Sequence, residues 1–427
     1  MTYPIYNFFL YVLSPIIWGY FLYRGFKDKR YWAGFSERLG LVHQSETDPI
    51  LHLHCASVGE SIAAIPLILQ LKTDFPDQVL WITTTSPTGR LEVIKIIENY
   101  ALEKTYLSYL PIDWFGSVNR FISRVRPNAS ILMETEIWPN LTRQMKRHNI
   151  PVILANARLS DKSLNKYLKR AEFSKQLFAN ISLVAAQYPS DEANFAKLGV
   201  DASKLKVVGS TKFDIQISQA TLAAQQHFSQ AFIKGRPSWI AASIHPGEFE
   251  SILECHRSLL KSCPGLLLIA VPRHPEAFDK LKHMCADFQL EFVSKSANNP
   301  PLKNTSVIVG DTMGEMMVMC GGADLAFIGG SLIARGGHNP LEPAACGLPV
   351  VMGPSSYNFS DVCQIMSSNG TLTKVENRQQ LETFIRSTLN DKQLLEQHEL
   401  STKSLFEKNR GSAVKISQSI TELLSQN

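Results

Sequence analysis

The sequence predicts an α/β protein built from two doubly wound parallel-sheet domains. Its 427 residues exceed the roughly 150 of an ordinary domain, so two or three domains are expected. Apolar segments alternate with amphipathic ones through residues 49–214, and the alternation restarts after a polar stretch at 216–235. This pattern is typical of parallel strands joined by helices, whose ligands collect at the carboxyl ends of the strands.

Composition narrows the functional class. A chain that is 44% hydrophobic and 19% charged is globular, and a net charge of +5 is too small for a dedicated nucleic-acid binder but suits an anionic membrane or substrate. The seven cysteines are scattered and never form a C-x-x-C pair, which indicates reduced thiols in a cytosolic compartment and no zinc site. The sequence also has no Walker loop, G-x-G-x-x-G, H-E-x-x-H or D-x-D motif.

The N-terminal segment is predicted to be a membrane anchor. Residues 3–23 carry no charge, and a helix of this length is about 30 Å long, the thickness of bilayer hydrocarbon. Basic residues occur only on its C-terminal side, which places the rest of the chain in the cytoplasm: Arg24, Lys27, Lys29 and Arg30. The alternative is a helix that lies in the interface, because Pro4 and Pro15 would interrupt a span.

Polar residues follow the predicted strands of the first half. Glu37 and Arg38, in WAGFSERLG, either stabilise the entry to the core or face a substrate. Ser57 and Glu60 follow the strand ILHLHC and predict either a capping box or a carboxylate that takes a proton from an attacking hydroxyl.

Two further acidic residues and one lysine complete the first half. Glu134 and Glu136 follow the strand ASILM, and since side chains alternate along an extended segment only one should face the cleft; we favour Glu134. Lys212 follows a strand at the end of this half, where two domains would meet.

In the second half, strands again deliver polar loops to one sheet edge. Arg273 directly follows the strand GLLLIAV and offers a bidentate fork for a phosphate or base. Met313, Gly314 and Glu315 are predicted to start a helix, although Thr312 with Glu315 could be a capping box only.

The stretch 324–354 carries the densest local signals. A short strand enters a loop with two glycine pairs, and Asn339, Pro340 and Glu342 are then predicted as N-cap, first-turn and N3 residues of a short helix. We expect free N–H groups of this loop and the helix N-terminus to bind an anion such as a nucleotide phosphate. A capping box joined to a plain turn is the alternative.

Eight strings in a fixed order give the chain a specific resemblance. They are WAGFSERLG, HCASVGE, METEIWPN, GSTKFD, HPGE, PRHPE, DTMGEM and GGHNPLEPA. Together, and behind a hydrophobic N-terminus, they resemble the 3-deoxy-D-manno-octulosonic acid (Kdo) transferases of lipid A biosynthesis over nearly the whole chain. The fold this resemblance implies is GT-B, with two Rossmann-like domains facing a cleft.

The resemblance also implies the reaction and its residues. Kdo would pass from CMP-Kdo to the lipid A precursor at the cytoplasmic face of the inner membrane, without a metal or other cofactor, by direct and therefore inverting attack. Glu60 would be the general base, and Glu134 and Lys212 would stabilise the transition state. CMP contacts would fall on Pro272, Arg273, Met313, Gly314, Glu315, Asn339, Pro340, Leu341 and Glu342.

These observations give a domain plan and two alternatives for function. The plan is a membrane anchor at 1–30, an acceptor domain at 31–215, a CMP-sugar domain at 216–405 and a C-terminal helix at 406–427. One alternative is another membrane-associated GT-B transferase that uses a UDP-sugar. The other is a membrane-tethered nucleotide-binding module without catalysis. Glu60→Ala would then cause no loss of activity, because the module would have none.

Overall fold

The chain forms two compact units, and the computed structural model describes residues 2–44 and 49–425 of it. The first unit comprises Met1–Asp214 and Asn409–Asn427, and the second comprises Ile215–Lys408. The C-terminal helix thus belongs to the first unit, because backbone N–H groups of 411–413 donate to the Asp214 carboxylate. The last two residues of the predicted helix, 426–427, lie outside the described residues.

The first unit contains a seven-stranded, fully parallel sheet with the order β3-β2-β1-β4-β5-β6-β7. Its strands are β1 Ile50–His54, β2 Val79–Thr84, β3 Thr105–Tyr109, β4 Ala129–Met133, β5 Val152–Ala157, β6 Leu183–Ala186 and β7 Leu205–Val207. The central strands are buried along their whole length, as expected for a sheet covered by helices on both faces.

Helices of the first unit connect these strands and close the chain. They are α1 Tyr3–Val12, α2 Ser14–Lys27, α3 Val58–Asp74, α4 Pro87–Asn99, α5 Phe115–Val125, α6 Pro139–Arg147, α7 Asp161–Leu168, α8 Ala171–Phe178 and α9 Pro189–Lys197, with the C-terminal helix Ser412–Ser425. The C-terminal helix packs on α3 and contributes Ala413, Ile416 and Ile420 to the core beneath the sheet.

The second unit repeats this architecture with the parallel order β10-β11-β9-β8-β12-β13-β14. Its strands are β8 Ser238–Ile244, β9 Leu267–Pro272, β10 Phe292–Ser294, β11 Val307–Val309, β12 Leu325–Ile328, β13 Val350–Met352 and β14 Leu372–Lys374. Its helices are α10 Gln219–Phe228, α11 Phe249–Leu260, α12 Phe278–Asp287, α13 Met316–Cys320, α14 Leu341–Ala345, α15 Ser360–Ser368, α16 Arg378–Asn390 and α17 Lys392–Asn409.

Two doubly wound α/β units are thus confirmed, and the strands that the sequence analysis missed lie at or next to sheet edges. β3 and β10 each pair on one side only, and β3 carries partly exposed residues, so neither shows the continuous apolar run of a central strand. β14 is the opposite edge strand of the second sheet and is only three residues long.

The helix starts predicted in the second unit are each displaced toward the C-terminus. α13 begins at Met316 with Glu315 as its N-cap, so Met313 and Gly314 lie in the preceding loop, and no cap bond from Thr312 is formed. α14 begins at Leu341 with Pro340 as N-cap instead of Asn339. Gly314 and both glycines of the second pair have positive φ, which favours a tight loop over an early helix.

The two N-terminal helices do not form one straight span. Within the described residues no single helix is long and apolar enough to cross a membrane, but α1 and α2, bent by 48° at Leu13, satisfy the length and composition criteria as a pair. The inner side of α1 packs on the first unit: Tyr3 stacks edge-on against Phe173, and Tyr6 donates to Asp113. The predicted transmembrane helix is therefore not confirmed.

Candidate active site

Glu60 lies at the third position of α3, where Ser57 caps the helix as the sequence allowed but the Glu60 carboxylate accepts from the Ala56 N–H instead of the Ser57 N–H of a full capping box. Ser57 Oγ accepts from Glu60 N (3.3 Å) and donates to Glu60 Oε1 (2.9 Å), while the Ala56 N–H donates to Glu60 Oε2 (2.8 Å). These bonds fix the carboxylate at the carboxyl end of the first strand of the sheet. Glu60 is 8% exposed, so it is held rigidly and is largely desolvated.

Burial raises the pKa of Glu60 to about 7. It outweighs the hydrogen bonds from the Ala56 N–H and the Ser57 hydroxyl, which lower the pKa. The carboxylates of Glu136 and Glu134 raise it further because like charges disfavour ionisation. A carboxylate whose pKa lies near neutral pH is suited to accept a proton during catalysis. The capping role and the base role are therefore compatible in one side chain.

Glu134 and Glu136 sit in the loop between β4 and α6, and both interact electrostatically with Glu60. Glu134 adopts a left-handed backbone conformation with a φ of 54°, which is unusual outside glycine and is often found at functional sites. Burial and the neighbouring Glu134 raise the pKa of Glu136. The alternation argument, which assigned only one of the two to the cleft, assumed an extended chain, whereas the chain turns after Met133 and both carboxylates interact electrostatically with Glu60.

Lys212 provides the positive charge of this group. Its Nζ lies 3.2 Å from Glu134 Oε1, and both side chains are about a quarter exposed. The turn that carries Lys212 is fixed by the buried Asn156, whose Oδ1 accepts from Thr211 N (3.1 Å). The three predicted catalytic residues, Glu60, Glu134 and Lys212, thus lie together with Glu136. We call these four residues the carboxylate cluster.

Glu37 and Arg38 pack at the carboxyl ends of β2 and β3. Glu37 pairs with Arg90 (2.6 Å) and accepts from Tyr109 N (2.8 Å), while Arg38 donates to the Thr85 carbonyl (2.9 Å). Arg38 is 3% exposed and its guanidinium stacks over Tyr109. Of the two interpretations that the sequence left open, the structure supports packing at the core.

The glycine loop of the second unit is held by a carboxylate that the sequence analysis did not assign. Glu248, 1% exposed, accepts from the backbone N–H groups of His245, Gly330, Ser331 and Leu332, at 2.8–3.1 Å. Farther along the loop, Gly337 N and His338 N donate to the carbonyls of Gly330 and Gly329.

The expectation that free loop N–H groups bind an anion is therefore wrong for these positions, because their N–H groups already have partners. The polypeptide uses them to build the loop. A ligand of this edge therefore cannot use the N–H groups of 330–332, 337 and 338.

Five basic side chains meet at the same edge and form what we call the basic cluster: His245, Arg273, His274, Arg335 and His338. His245 Nε2 lies 2.9 Å from His338 Nε2, and its ring centroid lies 5.6 Å from that of His274. Burial, Arg273 and His245 lower the pKa of His338 to about 4, so its imidazole is neutral at physiological pH. A group of basic side chains at one sheet edge is an arrangement that favours an anionic ligand, although the carboxylate of Glu342 interacts with one of them, Arg273.

The predicted CMP contacts differ in how directly they are connected to the basic cluster. Pro272 is the last residue of β9 and Arg273 follows it, and Arg273 interacts electrostatically with both His338 and Glu342. Asn339 Nδ2 donates to Glu342 Oε1 (3.2 Å) and its Oδ1 accepts from Leu341 N (3.0 Å), so residues 339–342 form one bonded turn. Met313 is 60% exposed in the loop after β11.

That loop also contains Gly314 and Glu315, and it leaves the same sheet edge as Arg273. β11 lies next to β9 in the sheet, and Gly310 N donates to the Ala270 carbonyl. Glu315 pairs at 3.6 Å with Lys295, the residue that follows β10. The contacts of Glu315 thus lead toward the edge strand β10, whereas those of residues 339–342 lead toward Arg273.

Sequence reasoning missed the histidines and Glu248 although their motifs were in view. His245 and Glu248 belong to HPGE, His274 to PRHPE and His338 to GGHNPLEPA. A signal existed, because His245, Glu248 and His274 follow predicted strands within a few positions and His338 lies in the glycine loop. Among residues 2–44 and 49–425, no group of three or more His, Cys, Asp or Glu side chains is arranged to hold a metal ion.

Comparisons with known proteins identify the family of the chain. The family described as 3-deoxy-D-manno-octulosonic-acid transferase (kdotransferase) matches residues 33–215. A protein of Haemophilus influenzae called 3-deoxy-D-manno-octulosonic acid transferase is 37% identical over 425 residues, covering 99% of each chain. One of the same name from Bordetella pertussis is 32% identical over 374 residues, covering 84% of this chain and 85% of the relative.

A solved structure supports the fold. The UDP-GlcNAc 2-epimerase of Neisseria meningitidis, bound to UDP-GlcNAc, is 14% identical, with a TM-score of 0.57, over 89% of this chain and all of the epimerase. At that identity the likeness shows a shared fold alone, and it supports the GT-B class. The near full-length match to the Haemophilus relative establishes the family, and the chain belongs to the 3-deoxy-D-manno-octulosonic acid transferases.

Proposed function

We propose that this chain transfers Kdo from CMP-Kdo to the lipid A precursor of lipopolysaccharide biosynthesis, with Glu60 as general base. Family membership supports the reaction. The observation that carries the mechanism is a desolvated carboxylate with a pKa of about 7 at the end of the first strand. A sugar hydroxyl is a weak nucleophile near neutral pH, and a positioned base accelerates its attack by about 10²–10⁴-fold.

The rest of the carboxylate cluster supports this base. Burial raises the pKa of Glu60 to about 7 and the carboxylates of Glu136 and Glu134 raise it further, so that Glu60 is ionised enough to act yet basic enough to accept a proton. Lys212 pairs with Glu134 and supplies a positive charge that stabilises negative charge developing on the reacting groups. Direct attack by the acceptor hydroxyl inverts the anomeric centre.

The basic cluster of the second unit is proposed to bind CMP-Kdo. Arg273 is exposed and its guanidinium can make two parallel bonds to a phosphate oxygen pair. Glu342 and Asn339, fixed in one turn, offer acceptors to sugar hydroxyls, and Pro272, Met313, Gly314, Glu315, Pro340 and Leu341 line the loops around them.

We also propose that the reaction needs no metal. CMP is a phosphate ester that leaves with its charge on the phosphate, and cationic side chains at fixed positions can stabilise that charge. Arg273 and Arg335 are two such side chains in the basic cluster.

The N-terminal helices are proposed to hold the enzyme in the interface of an anionic inner membrane, with the catalytic units on the cytoplasmic side. The inward side of α1 is hydrogen-bonded to the rest of the first unit through Tyr3, Tyr6 and Asn7. The opposite sides of α1 and α2 expose a set of large apolar residues: Ile5, Phe8, Phe9, Val12, Leu13, Ile16, Tyr20, Leu22, Tyr23 and Phe26.

A helix pair bonded to protein along one side and apolar along the other is suited to lie in the interface. Each inserted phenylalanine contributes roughly 1.5–3 kcal/mol. Phe8→Ser combined with Phe26→Ser should therefore abolish flotation with anionic vesicles, whereas Leu302→Ser, an exposed leucine of the second unit, should not. Flotation unchanged in the double variant would show that this surface is not the membrane contact.

The deciding test of the reaction is Kdo transfer by the purified full-length protein in EDTA, followed by product mass. The acceptor is a tetra-acylated lipid A precursor and the donor is CMP-Kdo. A product heavier by one or more Kdo units supports both the reaction and its independence of divalent metal, and counts the additions. Product only after magnesium is restored would overturn the metal-free mechanism, and product only with a UDP-sugar would overturn the donor.

A further inference from the structure

We propose that Asp113 couples the N-terminal helix α1 to the loop of Glu134 and Glu136, and thereby acts as a positioning residue for transfer. This inference rests on the proposed function for its catalytic part. Its structural part concerns only contacts within the first unit.

Asp113 is a buried carboxylate that joins two distant segments. It lies between β3 and α5 and is 2% exposed. Its Oδ2 accepts from Tyr6 Oη of α1 (2.8 Å) and from Asn140 N (2.9 Å), and its Oδ1 accepts from Leu141 N (2.9 Å). One side chain therefore receives a bond from the N-terminal helix and two from the start of α6.

The bonds to α6 replace a cap that this helix lacks. The N-cap residue of α6, Trp138, makes no side-chain cap bond, so the first N–H groups of the helix need an acceptor from elsewhere. A carboxylate at a helix N-terminus also interacts favourably with the helix dipole. Asp113 provides both, and its position therefore determines where α6 begins.

A second contact joins the same two helices directly. Asn140 Nδ2 donates to Asn7 Oδ1 of α1 (2.6 Å) and to the Asp113 carbonyl (2.5 Å). Tyr6 and Asn7, neighbours on α1, thus both bond to the group at the start of α6. The N-terminal helix is connected to this point by two independent hydrogen bonds.

The start of α6 is one end of the loop that carries Glu134 and Glu136. The other end is Met133, fixed in the centre of the sheet. Only residues 134–138 separate the two ends, and Glu134 is held at a φ of 54°. A strained conformation persists only where its surroundings enforce it. Displacing the start of α6 therefore releases the loop and moves both carboxylates relative to Glu60.

The test uses Tyr6→Phe, which removes one bond to Asp113 and keeps the ring. Tyr23→Phe, a change of an exposed tyrosine on α2, is the matched control. Hydrogen exchange of peptides covering 134–142 should rise at least threefold in Tyr6→Phe and stay at the wild-type rate in Tyr23→Phe. This readout does not depend on the reaction, so it decides the coupling even if Kdo transfer is absent from the wild-type protein.

The catalytic part is tested by kinetics. In Tyr6→Phe, kcat should fall about tenfold, while the KM for CMP-Kdo stays within a factor of about two because the second unit is unchanged. In a Glu134→Gln background the same substitution should have little further effect, because the positioned group is already gone. Unchanged exchange at 134–142 would overturn the coupling, and raised exchange with unchanged kcat would overturn the positioning role.

Should Tyr6→Phe fail to fold, Asn7→Ala removes the second connection and leaves Asp113 with all of its donors. The same rise in exchange and fall in kcat are expected, of smaller size. If Asn7→Ala shows neither the rise in exchange nor the fall in kcat, the inference is overturned.

Discussion

Glu60 and Glu248 occupy comparable places in the two units and have different roles. Leaving aside β7 and β10, both sheets run third-second-first-fourth-fifth-sixth, and each glutamate follows the first strand of its sheet within six residues. Glu60 receives hydrogen bonds from one backbone N–H and one hydroxyl, whereas Glu248 receives four from backbone N–H groups. Both are buried.

The number of donors explains which buried carboxylate is available for chemistry. A buried carboxylate that accepts many N–H bonds is committed to structure, whereas one with few donors and like charges nearby retains proton affinity. Glu60 belongs to the second kind, since its pKa is raised to about 7. Four substitutions test this contrast between the two units.

Glu60→Gln should have the largest effect, a loss of about 10²–10⁴-fold in kcat with CMP binding retained, because the amide cannot accept the proton. Steady-state kinetics measure kcat, and calorimetric titration measures CMP binding. A carboxyl with a raised pKa in the folded state costs stability as the pH rises toward about 7, and the cost is complete above it. The variant should therefore melt no lower than wild type at about pH 8. A wild-type kcat in Glu60→Gln would show that Glu60 is not the general base.

Glu248→Ala should mainly reduce stability. It leaves buried N–H groups of 330–332 without an acceptor, at about 1–3 kcal/mol each before relaxation. We expect a loss of about 3 kcal/mol in the free energy of unfolding, measured by urea titration. The exposed Glu250→Ala, two residues along the chain, is the control; equal stabilities would refute the structural role.

Arg273→Ala should weaken CMP binding by about 10- to 100-fold, as expected for loss of a charge-assisted phosphate contact. Transfer at saturating CMP-Kdo should fall less than binding does. Lys280→Ala removes an exposed positive charge of the same unit and should leave the CMP dissociation constant unchanged. An unaffected CMP affinity in Arg273→Ala would exclude this arginine from the nucleotide site.

Glu136→Gln should have the smallest effect, a shift in pH dependence. The kcat/KM of the wild type should rise with pH up to about 7, as Glu60 ionises, and then level off. Removing the Glu136 charge lowers the pKa of Glu60, so the rise should move to lower pH. A rise that stays in place would show that Glu136 does not act on the base.

The α/β class, the two repeated units and the strands at the sheet centres could all be predicted from the sequence. Buried parallel strands are continuous apolar runs, and this pattern is local. The order of residues along the chain also singled out Glu60, Lys212 and Arg273, because polar residues that follow such a run within a few positions lie at the edge where ligands bind.

The connections among these residues, in contrast, emerge only in the folded chain. Glu248 and the loop 330–332 are separated by more than eighty residues, as their hydrogen bonds record, and no local pattern shows that one binds the other. The same holds for Tyr6 and Asp113, 107 residues apart. Propensity and periodicity report on neighbours in the chain, whereas burial, pKa and pairing depend on neighbours in space.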